Sequence, residues 1–272
     1  MNQKGAHGVW NGTLKYLIAY TGNQQIRIKD IDKEWVESFK EFLQSAKISD
    51  HGNALSTNTA HIYFSKFRSA LKRAYKDKLI DHNPCDNIEH IQQEETEREF
   101  LTLEELKKAS QTSCSYPILK KAFIFSCLTG LRKSDILKMK WKELQHSNEQ
   151  GWYLQFTQKK TKGVETLPIS DQARELLGTK GEAETPIFDG LKYNGGTSIK
   201  IQRWMLQAGI TKQITFHCAR HTFATLQLTM DTDIYTVSKL LGHKNLKTTQ
   251  VYAKIIDKKK VEAVNRIPDL SL

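Results

Sequence analysis

The sequence predicts a mainly α protein with a small antiparallel sheet, built as two lobes, of which the second is larger and carries the sheet. Three observations carry that prediction. Apolar residues recur every three or four positions over most of the chain, the period of an amphipathic helix. Only Trp152–Thr157 and Glu165–Ile169 read as strands, joined into a hairpin by a Lys-rich turn. Pro84 and the polar run Glu89–Glu99 (EHIQQEETERE) interrupt the helical pattern and mark a boundary. The lobes are placed at 1–90 and 100–272 with 91–99 as linker, and 272 residues, 39% of them hydrophobic, are enough to bury a sizeable core.

Taken in order, Lys33–Ala46 places Trp35, Val36, Phe39, Phe42 and Leu43 along one side of a helix. Ser56–Lys78 repeats the device with Ala60, Phe64, Phe67, Leu71 and Ala74. Its other faces carry Lys66, Arg68, Lys72, Arg73 and Lys76, a charge suited to lying along a phosphate backbone. An ordinary solvated face has the same composition. Past the linker, Thr102 and Glu105 have capping-box spacing and open a helix. Pro117 suits the first turn of the next, Pro117–Cys127, and Lys133–Lys140 follows. After the hairpin come helical patterns at Asp171–Leu177, Ser198–Ala208, His217–Met230, Ile234–Leu241 and Leu246–Ile256, with Gly242 placed to end the fourth of these.

Composition narrows the function before any motif does. The longest nearly apolar stretch, Ala122–Leu131, contains Ser126, Thr129 and Gly130 and is far too short for a bilayer. The first residues, MNQKGAHGVWNGT, lack the apolar run of a signal peptide. Cys85, Cys114, Cys127 and Cys218 lie far apart with no C-x-x-C pair, which predicts reduced thiols in a cytoplasmic protein and no structural zinc. The 41 Lys and Arg exceed the 30 Asp and Glu by 11; residues 1–95 hold 13 against 12, so the remainder holds 28 against 18. A surplus of that size suits a polyanion such as nucleic acid.

A few residues carry the chemistry. Arg132 follows Thr129-Gly130-Leu131 and is trailed one turn later by Asp135; Arg220 stands three residues after His217 in FHCARHTF, on the same helix face. Two guanidinium forks can clamp a phosphodiester and stabilise the extra charge of its transition state, whereas each arginine alone reads as a salt-bridge former. Lys159, Lys160 and Lys162 sit at the hairpin turn, from which a lysine reaches a leaving oxygen, although surface turns are commonly lysine-rich for solubility. His243 and Tyr252 close the series in LLGHKNLKTTQVY. A tyrosine attacks phosphorus when its proton is taken among cations; a lone one is more often half-buried packing.

Arranged in order, Arg132, Lys160, His217-x-x-Arg220, His243 and Tyr252 resemble the active-site series of the tyrosine recombinases, the phage-integrase family. TGLRKSDIL, HCARHTFAT and LLGHKNLKTTQVYAKI fit as well, Lys160 precedes Pro168 by eight residues as in a K-T…P hairpin, and Trp10–Asn87 resembles the family's helical core-binding (SAM-like) domain. Cys218 and Ala219 stand where the family commonly has Asp and Leu, and Lys159 and Lys162 compete with Lys160.

The resemblance implies strand cleavage without metal or nucleotide cofactor. Tyr252 attacks the scissile phosphate, leaving a 3′-phosphotyrosyl link and a 5′-hydroxyl; Arg132 and Arg220 hold the non-bridging oxygens and His243 donates to them. His217 assists proton removal from Tyr252, Lys160 protonates the leaving oxygen, and Asp135 orients a neighbour. The implied partner is double-stranded DNA at specific recombination sites, gripped by two lobes, with a homotetramer on DNA, a monomer or weak oligomer without it, and no membrane. The implied setting is the integration or excision of a mobile element. The tail Asp257–Leu272, with Val261, Val264, Ile267 and Leu270 at helical spacing, is expected to dock on a neighbouring protomer. A helical pattern that starts near Trp10 means either a minimal recombinase or part of a longer chain carrying an arm-binding domain. Two readings compete: a type IB topoisomerase with the same chemistry, and a non-catalytic DNA-binding protein of the same fold. A metal-dependent nuclease is more distant, since no carboxylate cluster accompanies the histidines.

Overall fold

The computed structural model describes residues 3–47, 54–95, 98–157 and 164–252. The chain divides into two compact units, Met1–Thr96 and Glu97–Leu272.

The first unit is built on three helices, α1 (Gln3–Tyr20), α2 (Lys33–Ser45) and α3 (Thr57–Lys76). Asp32 and Ser56 cap α2 and α3, accepting the backbone N–H of Trp35 (2.8 Å) and Thr59 (3.3 Å), which satisfies an orphan donor in each first turn. The predicted stripes meet as a core: Phe39 and Phe67 pack edge to face with ring centroids 4.9 Å apart, and Tyr20 closes on Trp35 at 4.9 Å. α1 starts upstream of the Trp10 expected from the pattern. Its Gly12 lets α3 approach: a Cβ there would lie 2.3 Å from the Tyr63 hydroxyl.

The boundary at Thr96 and Glu97 lies within the expected 91–99 linker, yet the chain before it is held down. Ile88 and Ile91 are buried, the Ile91 carbonyl meets the His61 imidazole, and Glu94 accepts from the Thr57 hydroxyl at 2.6 Å and from the Asn58 amide at 3.0 Å.

The second unit runs α4 (Leu103–Gln111), α5 (Pro117–Thr129), α6 (Lys133–Ile136), β1 (Leu144–Ser147), β2 (Gly151–Thr157), β3 (Val164–Pro168), α7 (Asp171–Leu177), α8 (Gly195–Gln207), α9 (Phe216–Thr229) and α10 (Ile234–Leu240). The capping box at Thr102 and Glu105 forms, and Pro117 sits in the first turn of α5. The three strands form one antiparallel sheet in sequence order, pairing Leu144 with Leu154 and Leu154 with Leu167 so that these apolar side chains share the buried face. α9 is the central helix. Ten of its residues, Phe216 through Thr225 without His217 and then Leu228, are buried, and Phe123 of α5 meets Phe216 edge to face at 5.8 Å.

Three local expectations are corrected. α6 ends at Ile136 rather than Lys140, because residues 139–142 are drawn into hydrogen bonds with another segment: Ile187 N–H to the Met139 carbonyl (2.8 Å) and Lys142 N–H to the Ala183 carbonyl (2.9 Å). β1 had no strand signature, having one apolar residue in LQHS, and forms only as the partner of β2. Leu246–Ile256 is not a continuous helix as far as it is described; Leu246–Thr248 and Gln250–Tyr252 are separate 3-10 turns, and residues 253–256 lie outside the described residues. Asn245, which accepts the Lys247 N–H at 2.9 Å, and the β-branched pair Thr248-Thr249 favour that broken path.

Candidate active site

Helix α9 sets the position of Arg220, and two helix ends receive it. α5 stops at Gly130, whose φ of +68° is open to glycine at little cost, and α10 stops at Leu241-Gly242, where Gly242 takes φ +59°. Each stop leaves a carbonyl without a helical partner. Arg220 donates from Nη1 to the Gly130 carbonyl and from Nη2 to the Leu241 carbonyl, both at 2.6 Å. The negative ends of two helices thus hold a guanidinium that is 5% exposed. Burial first, then the like charge of Arg132, pushes Arg220 down to about 9, which leaves it charged at neutral pH.

Arg132 precedes α6 as its N-cap residue and lines one narrow cleft together with Arg220, Asp135, Glu165 and Lys239. Asp135 is buried, and its charge acts on Arg220 in the stabilising sense. Lys239, on the last turn of α10, and Glu165 are cleft residues that the motifs did not single out. The strands flanking residues 158–163 reach this cleft through Glu165, Thr166 and Leu167, and Lys138 contacts the Thr157 carbonyl where β2 ends. Lys160, with Lys159 and Lys162, lies outside the described residues.

His243 follows Gly242 and meets the Thr249 hydroxyl through Nδ1 at 2.8 Å. A hydroxyl donating to Nδ1 would place the ring proton on Nε2. Thr249 is fully buried, and its carbonyl accepts the Tyr252 N–H at 3.0 Å, so one turn couples the histidine to the tyrosine. Tyr252 is 6% exposed and packs with Phe223, Ala224, Leu228, Val237 and Leu241. Burial raises its phenol above the ordinary value, against the lowering effect of Arg220 and Arg98.

The partner of the Tyr252 hydroxyl differs from the expectation. His217 was assigned to it, but the imidazole in place is His221, one turn further along α9, with Nδ1 2.6 Å from the hydroxyl. His217 packs edge to face on His221 with centroids 4.5 Å apart. Arg98, at the start of the second unit, acts on the tyrosine electrostatically and lowers its phenol pKa. His221 was legible only as the second of two histidines at i and i+4; Arg98, inside a Glu-rich run, gave no signal. The Cys218 sulfur accepts the Thr215 N–H at 3.3 Å, capping the start of α9.

The five basic residues of α3 separate into classes. Lys72, Arg73 and Lys76 are exposed, and Arg73 is paired with Asp77 at 2.6 Å. Arg68 donates to the Ile88 carbonyl and lies over the Phe64 ring, and Lys66 lies 5.6 Å above the Trp10 ring. Both are half-buried and committed to packing within the unit. Among the described residues no helix is long and apolar enough to cross a membrane, and no three His, Cys, Asp or Glu side chains group to hold a metal ion.

Residues 99–259 match the model of the phage integrase family, and residues 1–91 match the phage integrase SAM-like domain. The chain belongs to the phage integrase family. As a tyrosine recombinase it is a DNA strand breaking and rejoining enzyme. It is 26% identical over 265 residues to a tyrosine recombinase of Pseudothermotoga lettingae, covering 94% of this chain and 89% of the relative. It is 24% identical to the ICEBs1 integrase of Bacillus subtilis, covering 89% of this chain and 72% of that one. Its fold resembles that of lambda integrase bound to a core site, with a TM-score of 0.71 and 21% identity over 93% of this chain and 89% of that one. It also resembles the XerH recombinase on its difH substrate, with a TM-score of 0.72 and 19% identity over 96% of this chain and 79% of that one.

Proposed function

We propose that this recombinase cuts and reseals duplex DNA at specific sites through a 3′-phosphotyrosyl link made by Tyr252, in the service of integrating or excising a mobile element. The observation that carries the reading is the convergence on α9. Arg220 is fixed by two helix ends, Arg132 lines the same cleft, and Tyr252 lies within the field of Arg220. In this mechanism Arg132 and Arg220 hold the non-bridging oxygens and stabilise the charge that grows on them. His243 donates from Nε2, with Thr249 fixing its tautomer. The Tyr252 oxygen forms a bond to phosphorus as the bond to the 5′-oxygen breaks, and Lys160 supplies the proton that oxygen needs. The phosphotyrosine keeps the bond energy, so a 5′-hydroxyl from another duplex reverses the step.

The exposed Lys72 and Lys76 of α3 supply further phosphate contacts in the first unit. The ICEBs1 integrase name supports the mobile-element setting, and a lambda integrase tetramer on a Holliday junction is among the similar structures, which supports a tetramer on two duplexes. Four free, buried cysteines fit a reducing cytoplasm.

The test is covalent trapping in EDTA on a nicked duplex carrying the attachment sequence, comparing wild type with Tyr252→Phe. An adduct that survives denaturant and vanishes in the variant is expected. An adduct persisting in Tyr252→Phe means another nucleophile. Specific binding to a verified site without adduct favours the non-catalytic reading. Relaxation of supercoils by a monomer, without strand exchange between two duplexes, favours a topoisomerase.

A further inference from the structure

A phenol that attacks phosphorus must lose its proton, and the group that receives it has to be neutral, within hydrogen-bond reach and shielded from water. We infer that His221 is the residue that holds the Tyr252 hydroxyl and accepts its proton as strand cleavage begins. The inference rests on the proposal that Tyr252 is the nucleophile.

The geometry is direct. His221 Nδ1 lies 2.6 Å from the Tyr252 hydroxyl, and both side chains are 6% exposed. His221 is fixed by α9, the most buried helix of its unit, and is braced on its own helix by the His217 ring at 4.5 Å. Among the described residues, the charged and titratable groups facing it are His217 and Arg220 from α9, Arg98 from the start of the unit, and Tyr252 itself. Burial first, then the neighbouring His217, Arg98 and Arg220, push His221 down to about 3, so it is neutral at physiological pH. A neutral ring accepting from tyrosine carries its proton on Nε2.

That environment also ties proton transfer to substrate. A phosphodiester arriving between Arg132 and Arg220 brings a negative charge that offsets the cations around His221 and raises its basicity when the proton must move. The proton passes from Oη to Nδ1, the bond from Oη to phosphorus forms, and the bond to the 5′-oxygen breaks, that oxygen taking its proton from the separate acid. On resealing, His221 returns the proton to the departing Tyr252 oxygen.

The experiment is single-turnover adduct formation on a 5′-bridging phosphorothiolate duplex, whose sulfur leaves without an acid and so isolates activation of the nucleophile. His221→Gln keeps a hydrogen-bond acceptor but cannot hold a proton. It is expected to bind DNA within about twofold of wild type and to form adduct about 100-fold more slowly at pH 7, in the range for losing one acid–base group. Its rate should then climb roughly tenfold per pH unit toward pH 9 as hydroxide replaces the imidazole, while wild type stays nearly flat. Wild-type rate and profile in His221→Gln overturn the inference, as does a pH-recoverable loss in His217→Gln instead. Nitrogen-15 histidine spectra of the wild-type chain give a readout that no folding defect can mask. One ring should remain neutral and Nε2-protonated below pH 5, and its Nδ1 signal should shift in Tyr252→Phe; an unmoved signal overturns the inference. Wild type forming no adduct, or Tyr252→Phe forming one, instead brings down the nucleophile assignment on which the inference rests.

Discussion

Replacing Gly130 with alanine isolates how the fold holds Arg220. Gly130 takes φ +68°, a region that costs an L residue about 1–2 kcal/mol. A Cβ at this position would also lie 2.6 Å from Phe223 Cδ1 and 2.9 Å from Leu241 Cδ2, both in buried side chains with little room to retreat. Crowding of that kind adds about 1–3 kcal/mol. The sum, about 2–5 kcal/mol, is a large part of the ~5–15 kcal/mol that holds a domain together. In a unit of this size it lowers the melting temperature by roughly 4–20 °C. Gly190→Ala is the control: φ is +77° there, but nothing lies within 4 Å of the new Cβ, so only the backbone cost of about 1–2 kcal/mol remains. Urea unfolding of both variants measures the difference. Because the Gly130 carbonyl receives Arg220 Nη1, adduct formation well below the melting point should also slow in Gly130→Ala and not in Gly190→Ala. Equal losses of stability in the two would refute the crowding argument, and a wild-type cleavage rate in Gly130→Ala would refute the claim that this carbonyl positions Arg220.

Thr249→Val removes the hydroxyl on His243 Nδ1 while keeping the buried shape. At about 1–3 kcal/mol for the lost bond, adduct formation should fall roughly 5- to 150-fold, and an unchanged rate would show that His243 needs no such partner. Lys72→Ala and Lys76→Ala should each reduce the salt dependence of DNA binding by about one phosphate contact; Arg68→Ala should instead lower the stability of the first unit by leaving the Ile88 carbonyl without its donor, as seen in urea midpoints. His221 makes stability fall in acid. Above pH 6.5 it is neutral folded and unfolded, so its contribution is complete; below that, the unfolded chain takes up a proton that the folded chain excludes until about pH 3. That costs about 1.4 kcal/mol per pH unit, measurable as the slope of unfolding free energy from pH 6 to 4.5 that disappears in His221→Gln.

What was legible in the sequence was local. The apolar stripes of α2 and α3, the cap at Thr102, the Pro at the head of α5 and the glycine after α10 each depend on residues within a turn or two, and each appears in the structure. What was illegible depends on distant partners. β1 exists because β2 pairs with it, α6 stops because residues 183–187 compete for its backbone, and α1 tolerates Gly12 because Tyr63 fills the space a side chain would take. The same division holds for charge. Five basic residues on α3 look alike by composition, and only packing commits Arg68 to the Ile88 carbonyl and leaves Lys72 and Lys76 to solvent.

The two histidines of α9 show why a motif identifies a helix face more securely than an atom. His217 and His221 are four residues apart, so both point along nearly one line, and helical spacing cannot decide which of them meets the tyrosine. The choice is made 31 residues away in sequence. Gly242 turns the chain out of α10, the Thr249 side chain secures His243, and the 3-10 turn that follows fixes where along α9 the Tyr252 ring descends. It descends beside Phe223, Ala224 and Leu228, toward the C-terminal part of the helix, which brings its hydroxyl to the second histidine. A shift of one helical turn, about 5.4 Å, would bring it to the first. A change in that turn should therefore alter which histidine governs cleavage without touching either one, and the pH profile of a Thr249 variant is where such a change would first be seen.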